Sequence, residues 1–221
     1  MPEPFGTSPE LAVILGAGPG LGRAVAAAFA ERGDRVVLLA RDAGRLDELA
    51  DEVGAEATVA VDATDEGALR AAFADIRSRY GDPTVLVHNP SVAYEAPPTE
   101  TPLRALMDGL ALAAGSLLVA AQEVAPAMRT AGRGTILVTG SGSAKTGSTW
   151  SAALAVQKAA VRNLALSLAA ELRTDGVRVV TVTIDGLLGT PGFEHERIAA
   201  EYVRLATQPD QAWDPEVTWP T

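Results

Sequence analysis

Short runs of Val, Ile, Leu and Ala recur along the chain, separated by longer stretches in which apolar residues return every three or four positions. The runs are Leu11–Leu15, Arg35–Ala40, Ala57–Val61, Thr84–His88, Gly134–Gly140 and Val177–Ile184, with a weaker one near Val217–Trp219. They lack polar alternation, which is the pattern of strands covered on both faces in a parallel sheet. Between them, apolar spacing predicts helices over Leu21–Arg32, Ala43–Val53, Glu66–Tyr80, Pro102–Thr130, Ser151–Thr174 and Glu196–Thr207. Strand and helix alternating throughout predict right-handed crossovers and a doubly wound α/β sheet in three layers, with ligands beyond the carboxyl ends of the strands. No repeat, linker or composition shift divides the 221 residues, so a single domain over 1–221 is expected.

Composition narrows the function. Lys and Arg number 18 against 28 Asp and Glu, a net charge of −10, which argues against nucleic acid or an anionic membrane surface as partner. The chain has no cysteine and only His88 and His195, so disulfides, thiolate catalysis and a metal site are not expected. No basic stretch leads into an apolar core at the N-terminus, and no apolar run approaches membrane-spanning length, so a cytoplasmic protein is expected. Alanine occurs 42 times, arginine 16 times and lysine only at 145 and 158, while tyrosine occurs only at 80, 94 and 202. Such scarcity makes each lysine and tyrosine position informative.

The first strand candidate runs straight into Gly16-Ala-Gly-Pro-Gly20-Leu-Gly22, which opens a helix. Glycines at such a turn let a backbone approach a pyrophosphate, and bare N–H groups at the helix start attract it; a tight connection alone would also use glycines. The spacing GxGxxG fails because Leu21 takes its third position, whereas GxxxGxG fits at Gly16, Gly20 and Gly22. With Gly18 and Leu21 these form a candidate dinucleotide turn. After the second strand stands Arg41, where an acidic residue would bind the ribose 2′-OH of NAD; a guanidinium suits a 2′-phosphate, favouring NADP(H) over NAD(H), against which stand a solvated loop arginine and the opposing charge of Asp42 beside it. Asp62 and Ala63, after the third strand, sit where a carboxylate can accept from an adenine amino group, although an N-cap role for Asp62 remains open.

Taken together, these motifs resemble the short-chain dehydrogenase/reductase family over nearly the whole chain, which implies a Rossmann-like fold. Beyond GxxxGxG and Val61-Asp62-Ala63, the match includes His88-Asn89-Pro90-Ser91, where the family has its Asn-Asn-Ala-Gly turn. It continues through Gly134–Ser141 with the family's serine strand, the helix carrying Lys158, and Asp185-Gly-Leu-Leu188-Gly-Thr190-Pro191, which resembles the loop that holds the nicotinamide amide. The resemblance implies cofactor contacts from Asn89, Lys158, Leu188 and Thr190, and a catalytic part for Ser141 and Lys158. It also implies a homodimer or homotetramer joined through the two long helices.

The resemblance breaks at the proton donor. The family's tyrosine lies four residues before its lysine, one helical turn away, and here that position is Leu154; the family's helix asparagine falls near Ala113. Leucine cannot donate a proton. Tyr94, in a loop expected to rim the site, is the candidate substitute acid. His88 reads as a packed strand end, Lys145 as a solvated loop residue, and Tyr80 and Tyr202 as helix residues without a function. Trp150 and Phe193 are candidates for an apolar pocket lining, and the tail from Gln211 to Trp219 for a terminal strand.

Three readings follow. The first is an NADP(H)-dependent oxidoreductase with an altered proton path, acting on a small carbonyl, imine or activated alkene. The second is a redox-inactive NADP(H)-binding protein, and the third a non-redox enzyme reusing the pocket.

Overall fold

The computed structural model describes residues 9–208 and 213–220. Seven strands form one parallel sheet: β1 (Leu11–Leu15), β2 (Arg35–Ala40), β3 (Ala57–Ala60), β4 (Val85–His88), β5 (Gly134–Ser141), β6 (Val177–Ile184) and β7 (Glu216–Trp219). Their spatial order is β3-β2-β1-β4-β5-β6-β7, so the winding reverses between β1 and β4. Such a reversal leaves a crevice at the strand ends because the crossovers on its two sides diverge. The glycine turn after β1 and the Asn89-Pro90 turn after β4 both open onto it.

Helices cover both faces: α1 (Leu21–Glu31), α2 (Ala43–Val53), α3 (Glu66–Tyr80), α4 (Leu103–Leu110), α5 (Ser116–Ala131), α6 (Ala152–Leu172) and α7 (His195–Thr207). Alternate residues of the strands feed two separate cores. Leu11, Val13 and Leu15 join Phe73, Leu117, Val161 and Leu172 on the face covered by α3, α5 and α6. Ala12 and Ile14 join Phe29, Leu46, Ile198 and Tyr202 under α1, α2 and α7. Apolar residues at consecutive strand positions are therefore all used, and the predicted three-layer doubly wound fold is present.

The helix expected over Pro102–Thr130 needs revision. Pro102 precedes the helix as its N-cap, and a π-helical turn, Ala111–Gly115, separates α4 from α5. The stretch Leu103–Ala131 is 29 residues with a hydropathy of 1.6, long and apolar enough by composition to cross a membrane. This corrects the expectation that no run approaches that length. Part of that apolarity is used inside the fold, where Leu117, Ala120, Ala121 and Val124 pack against α3 and the sheet, while Leu103, Met107 and Leu118 stay exposed.

The terminal strand candidate is β7, whose Glu216–Trp219 pairs with Thr181–Ile184. Gln211 and Ala212 of the predicted tail lie outside the described residues. A cluster of side chains fastens the strand to the body. Arg162 of α6 donates from Nε and Nη2 to the Glu216 carboxylate, and Thr183 Oγ1 donates to Glu216 Oε1 at 2.7 Å. The Arg162 guanidinium is the main reason that the Glu216 carboxyl is held down to about 2. Lys145 takes part too, with Nζ 3.1 Å from Thr218 Oγ1 and 3.5 Å from Glu216 Oε1. Lys145 is exposed, as expected of a loop lysine, and β7 adds a carboxylate partner far from it in sequence.

Candidate active site

The turn between β1 and α1 is shaped by backbone contact. Gly16 has φ +86°, and a Cβ there would stand 2.7 Å from Pro90 N; a Cβ on Gly22 would stand 2.7 Å from Gly16 O. Both positions therefore exclude larger residues, the first for its left-handed backbone and the second for close packing of the helix start. A Cβ on Gly18 would meet nothing within 4 Å, because that residue faces open space. The amides of Gly16 and Ala17 both donate to Leu39 O, which ties the turn to β2. Leu21 is buried as the first residue of α1.

Two adjoining clefts lie beside this turn, of about 490 and 330 Å³. They share Ala17, Gly18, Ala40 and Arg41, and Arg41 is the one charged side chain that lines both. The larger extends along α2 past Arg45 and Glu48. The smaller runs past Val61 and Ala63 to Asn89, Pro90 and Ser91. Asp62, between Val61 and Ala63, is not among the residues lining either cleft; its Oδ1 accepts from Thr64 N and Oγ1, hydrogen bonds that hold its carboxyl below the usual range. The N-cap of α3 is Asp65, which accepts from Ala68 N, so the cap alternative for Asp62 falls away.

Behind the turn, a polar chain crosses the sheet. Tyr202 OH donates to Thr139 Oγ1 at 2.7 Å, Thr139 Oγ1 donates to Asn89 Oδ1 at 2.9 Å, and Asn89 Nδ2 donates to Gly16 O at 3.0 Å. Thr139 also receives Lys158: Nζ donates to the Thr139 carbonyl at 2.8 Å. The Lys158 side chain is buried, and burial pushes its ammonium down to about 8. His88 lies in the same region, buried, with Nε2 2.8 Å from Ser116 Oγ. Ser116 in turn donates to Leu112 O within the π-helical turn, so the hydroxyl accepts and His88 carries its proton on Nε2. Burial, with the nearby Lys158 charge, pulls the imidazole down to about 3 and keeps it neutral.

Ser141 ends β5, two residues beyond the Thr139 carbonyl that holds Lys158, so one strand positions both. Its Oγ accepts from Ser143 N at 3.3 Å and Ser143 Oγ at 3.0 Å. Leu154 occupies α6 one turn before Lys158 and is half-buried. Tyr94 is exposed on the loop after β4, tied to α6 through its carbonyl, which accepts from Ser151 Oγ at 2.8 Å. The same loop is held at Val92 by the buried Gln157 amide, which bonds both the N–H and the carbonyl of Val92. Among the described residues, no hydrogen bond joins the Tyr94 hydroxyl to Ser141 or Lys158. Leu188 is exposed beyond β6, and Thr190 Oγ1 donates to Leu187 O at 2.7 Å. Trp150 is exposed and Phe193 packs against the core beneath α7; neither lines the two clefts.

With this geometry in view, the sequence profile described as short chain dehydrogenase matches residues 10–198, from β1 into α7. The chain belongs to the short-chain dehydrogenase family. It is 35% identical over 214 residues to the BbsC subunit of a (2S)-[(R)-hydroxy(phenyl)methyl]succinyl-CoA dehydrogenase from Thauera aromatica, covering 92% of this chain and 84% of that protein. It is 32% identical to a galactitol 2-dehydrogenase from Cereibacter sphaeroides, covering 76% and 67%. A metagenomic short-chain oxidoreductase solved with NADP superposes with a TM-score of 0.86 at 30% identity over 97% of both chains. The L-sorbose reductase of Gluconobacter frateurii, solved with NADPH and L-sorbose, gives 0.88 at 25% identity over 98% of this chain and 96% of that one. As a short-chain dehydrogenase, this chain is an oxidoreductase built for a nicotinamide cofactor and a small-molecule substrate.

In this short-chain dehydrogenase the residues missed by sequence reasoning are those whose partners come from other elements. Tyr202, assigned no function, is fully buried and starts the polar chain to Gly16; burial raises its phenol above the usual range and keeps it a donor. A tyrosine on the apolar stripe of a helix was the available signal, since a buried phenol needs a partner. Ser116 and Gln157 carried a similar signal, as polar residues within otherwise apolar helical stretches.

Proposed function

We propose that this short-chain dehydrogenase uses NADP(H) in preference to NAD(H), and reduces a small carbonyl, imine or activated alkene through an altered proton path. Arg41 carries the cofactor preference: it is the charged side chain common to both clefts, at the carboxyl end of β2. A guanidinium there matches a 2′-phosphate with two parallel hydrogen bonds, and the neighbouring Asp42 carboxylate in the same cleft is engaged by Arg45. The glycine turn fits the pyrophosphate, because Gly18 leaves its backbone open where a side chain would fill the cradle. The bound cofactor supplies the hydride. Lys158 is the residue for the nicotinamide ribose hydroxyls, and Leu188 and Thr190 for the amide, while Asn89 holds the turn on which the adenosine side rests.

The proton path rests on Leu154. A carbonyl substrate needs a positioned acid, which contributes about 10²–10⁴ in rate, and Ser141 and Tyr94 are the hydroxyls offered for that task. A substrate already carrying its proton, such as an iminium, needs none. The test is titration of NADPH and NADH into the purified protein, followed by a carbonyl, imine and enone panel. Tighter NADPH binding with turnover of a panel member supports the reading, and Arg41→Ala is expected to lower the NADPH preference by about tenfold or more. Equal affinity for both cofactors sinks the preference; cofactor binding without turnover sinks the activity.

A second reading is favoured by Leu154 together with the description of the Thauera relative as one subunit of a dehydrogenase. In that reading this chain binds NADP(H) without its own redox chemistry. It predicts binding, no turnover, and no ketone reduction by Leu154→Tyr. On assembly, Leu103, Met107, Leu118 and Val156 are exposed on α4, α5 and α6. We assign them to a homodimer or homotetramer interface, and light scattering that gives a monomer refutes it.

A further inference from the structure

His195 opens α7, and its ring lies against the glycine turn. A Cβ built on Gly20 would stand 3.4 Å from His195 Nε2 and 3.5 Å from Cε1. The same ring approaches Gly189, where a Cβ would stand 3.9 Å from Cε1. Gly20 is the N-cap of α1, where the backbone N–H groups that receive a phosphate begin. Gly189 lies between Leu188 and Thr190, in the loop assigned to the nicotinamide. A dinucleotide stretched from the Arg41 cleft to that loop would carry its two phosphates past the start of α1, where His195 stands beside both glycines.

The start of α7, which carries the ring, is tied to α1. Arg23 of α1 donates from Nη2 to Glu196 Oε1 at 2.6 Å, joining the first turns of α1 and α7 beside the histidine. The next residue back, Glu194, accepts from Gly192 N at 3.0 Å, which fixes the entry of α7. Ile198 and Tyr202 hold the helix in the core below. The imidazole is half-buried, so it is both positioned and reachable.

We propose that His195 is a pyrophosphate-binding residue, donating from its imidazole to the bridging diphosphate of the cofactor. The assignment rests on the cofactor reading above. It adds a side-chain donor to a turn otherwise built from backbone, and the contact is indifferent to the 2′-phosphate. Hydrogen bonds to a charged oxygen are stronger than neutral ones, so loss of the donor is expected to weaken binding by about tenfold.

The experiment compares wild type with His195→Phe, which keeps a ring without a donor, and His195→Gln, which keeps a donor. Their thermal melts are recorded beforehand to show that each is folded. Calorimetry or ligand-observed NMR is then run with NADP⁺, with ADP-ribose, which has the diphosphate and no nicotinamide, and with adenosine 2′-monophosphate, which has no diphosphate. The expected result is about tenfold weaker NADP⁺ and ADP-ribose binding for His195→Phe, substantial recovery for His195→Gln, and unchanged adenosine 2′-monophosphate binding. Unchanged ADP-ribose affinity in His195→Phe overturns the role of His195 alone. An equal loss for all three ligands also overturns it, because a displaced loop would act without regard to the diphosphate. Wild type that binds neither NADP⁺ nor ADP-ribose overturns the cofactor reading as well.

Discussion

The two sides of the switch point are built differently. On the β2 side, the clefts are lined by backbone, small side chains and exposed charges such as Arg41 and Arg45. On the β5 side, the polar groups are buried and committed to one another: Lys158 to Thr139 O, His88 to Ser116, Tyr202 through Thr139 to Asn89. The open side therefore recognises a ligand with groups that water still solvates, so their replacement costs the fold little. The closed side holds ionisable groups away from water, where charge is expensive and every change is felt by the whole domain. The Arg41 side and the buried network are thereby separated in space, while Asn89, which lines the smaller cleft, belongs to both.

That contrast is most exposed to failure at His88. The folded imidazole is held near 3 against about 6.5 in an unfolded chain, so between those values the unfolded chain binds a proton that the folded chain refuses. Stability is therefore lost as pH falls through that window, by roughly 4–5 kcal/mol at most at 1.36 kcal/mol per unit. Denaturant melts from pH 7 to 4 are expected to show this loss in wild type and a flatter profile in His88→Gln. Parallel profiles in the two proteins would mean that the β5 side is wetter than described.

Lys158 gives a smaller effect at the opposite end of the scale. Its ammonium is held near 8 against 10.5 in the unfolded chain, so between these values the unfolded chain retains a proton that the folded chain has released. Stability contributed by this group rises with pH over the window, by roughly 3 kcal/mol relative to Lys158→Met. The difference between the two proteins, measured by urea melts at pH 7.5 and 10, checks the sign. A constant difference removes the buried charge from the account.

The smallest effect is at Tyr202. Tyr202→Phe deletes the donor to Thr139 Oγ1 and leaves the Thr139 to Asn89 bond in place, for a cost of about 1 kcal/mol. Arg41→Ala is the control from the open side, expected to move the unfolding midpoint negligibly because the side chain is exposed. A larger loss at Arg41 than at Tyr202 would erase the contrast between the two sides.

How far sequence reading reaches follows the same division. The β1 boundaries, the start of α1 and the glycine spacing were legible, because a left-handed turn and a close backbone approach leave glycine no substitute at Gly16 and Gly22. The π-helical turn at Ala111–Gly115 was not, since no proline marks its start and both α4 and the turn pack on α6, an element distant in sequence. Lys158 was found by its scarcity and its motif, but its partner, a backbone carbonyl of β5, has no sequence signature. Lys145 is exposed as its loop position implied, but its partners were not legible, because Glu216 and Thr218 arrive only with β7.

The sequence by itself determined the alternation of strands and helices, the double covering of the sheet and the place of the dinucleotide turn. Each depends on periodicity or on backbone freedom, which are local properties of the chain. Only the tertiary structure decided which polar groups meet, Tyr202 with Thr139 and Asn89 with Gly16, and that the His195 ring lies against Gly20. Those pairings span elements far apart in the chain, and in a buried site a donor's character is set by the acceptor that folding brings to it.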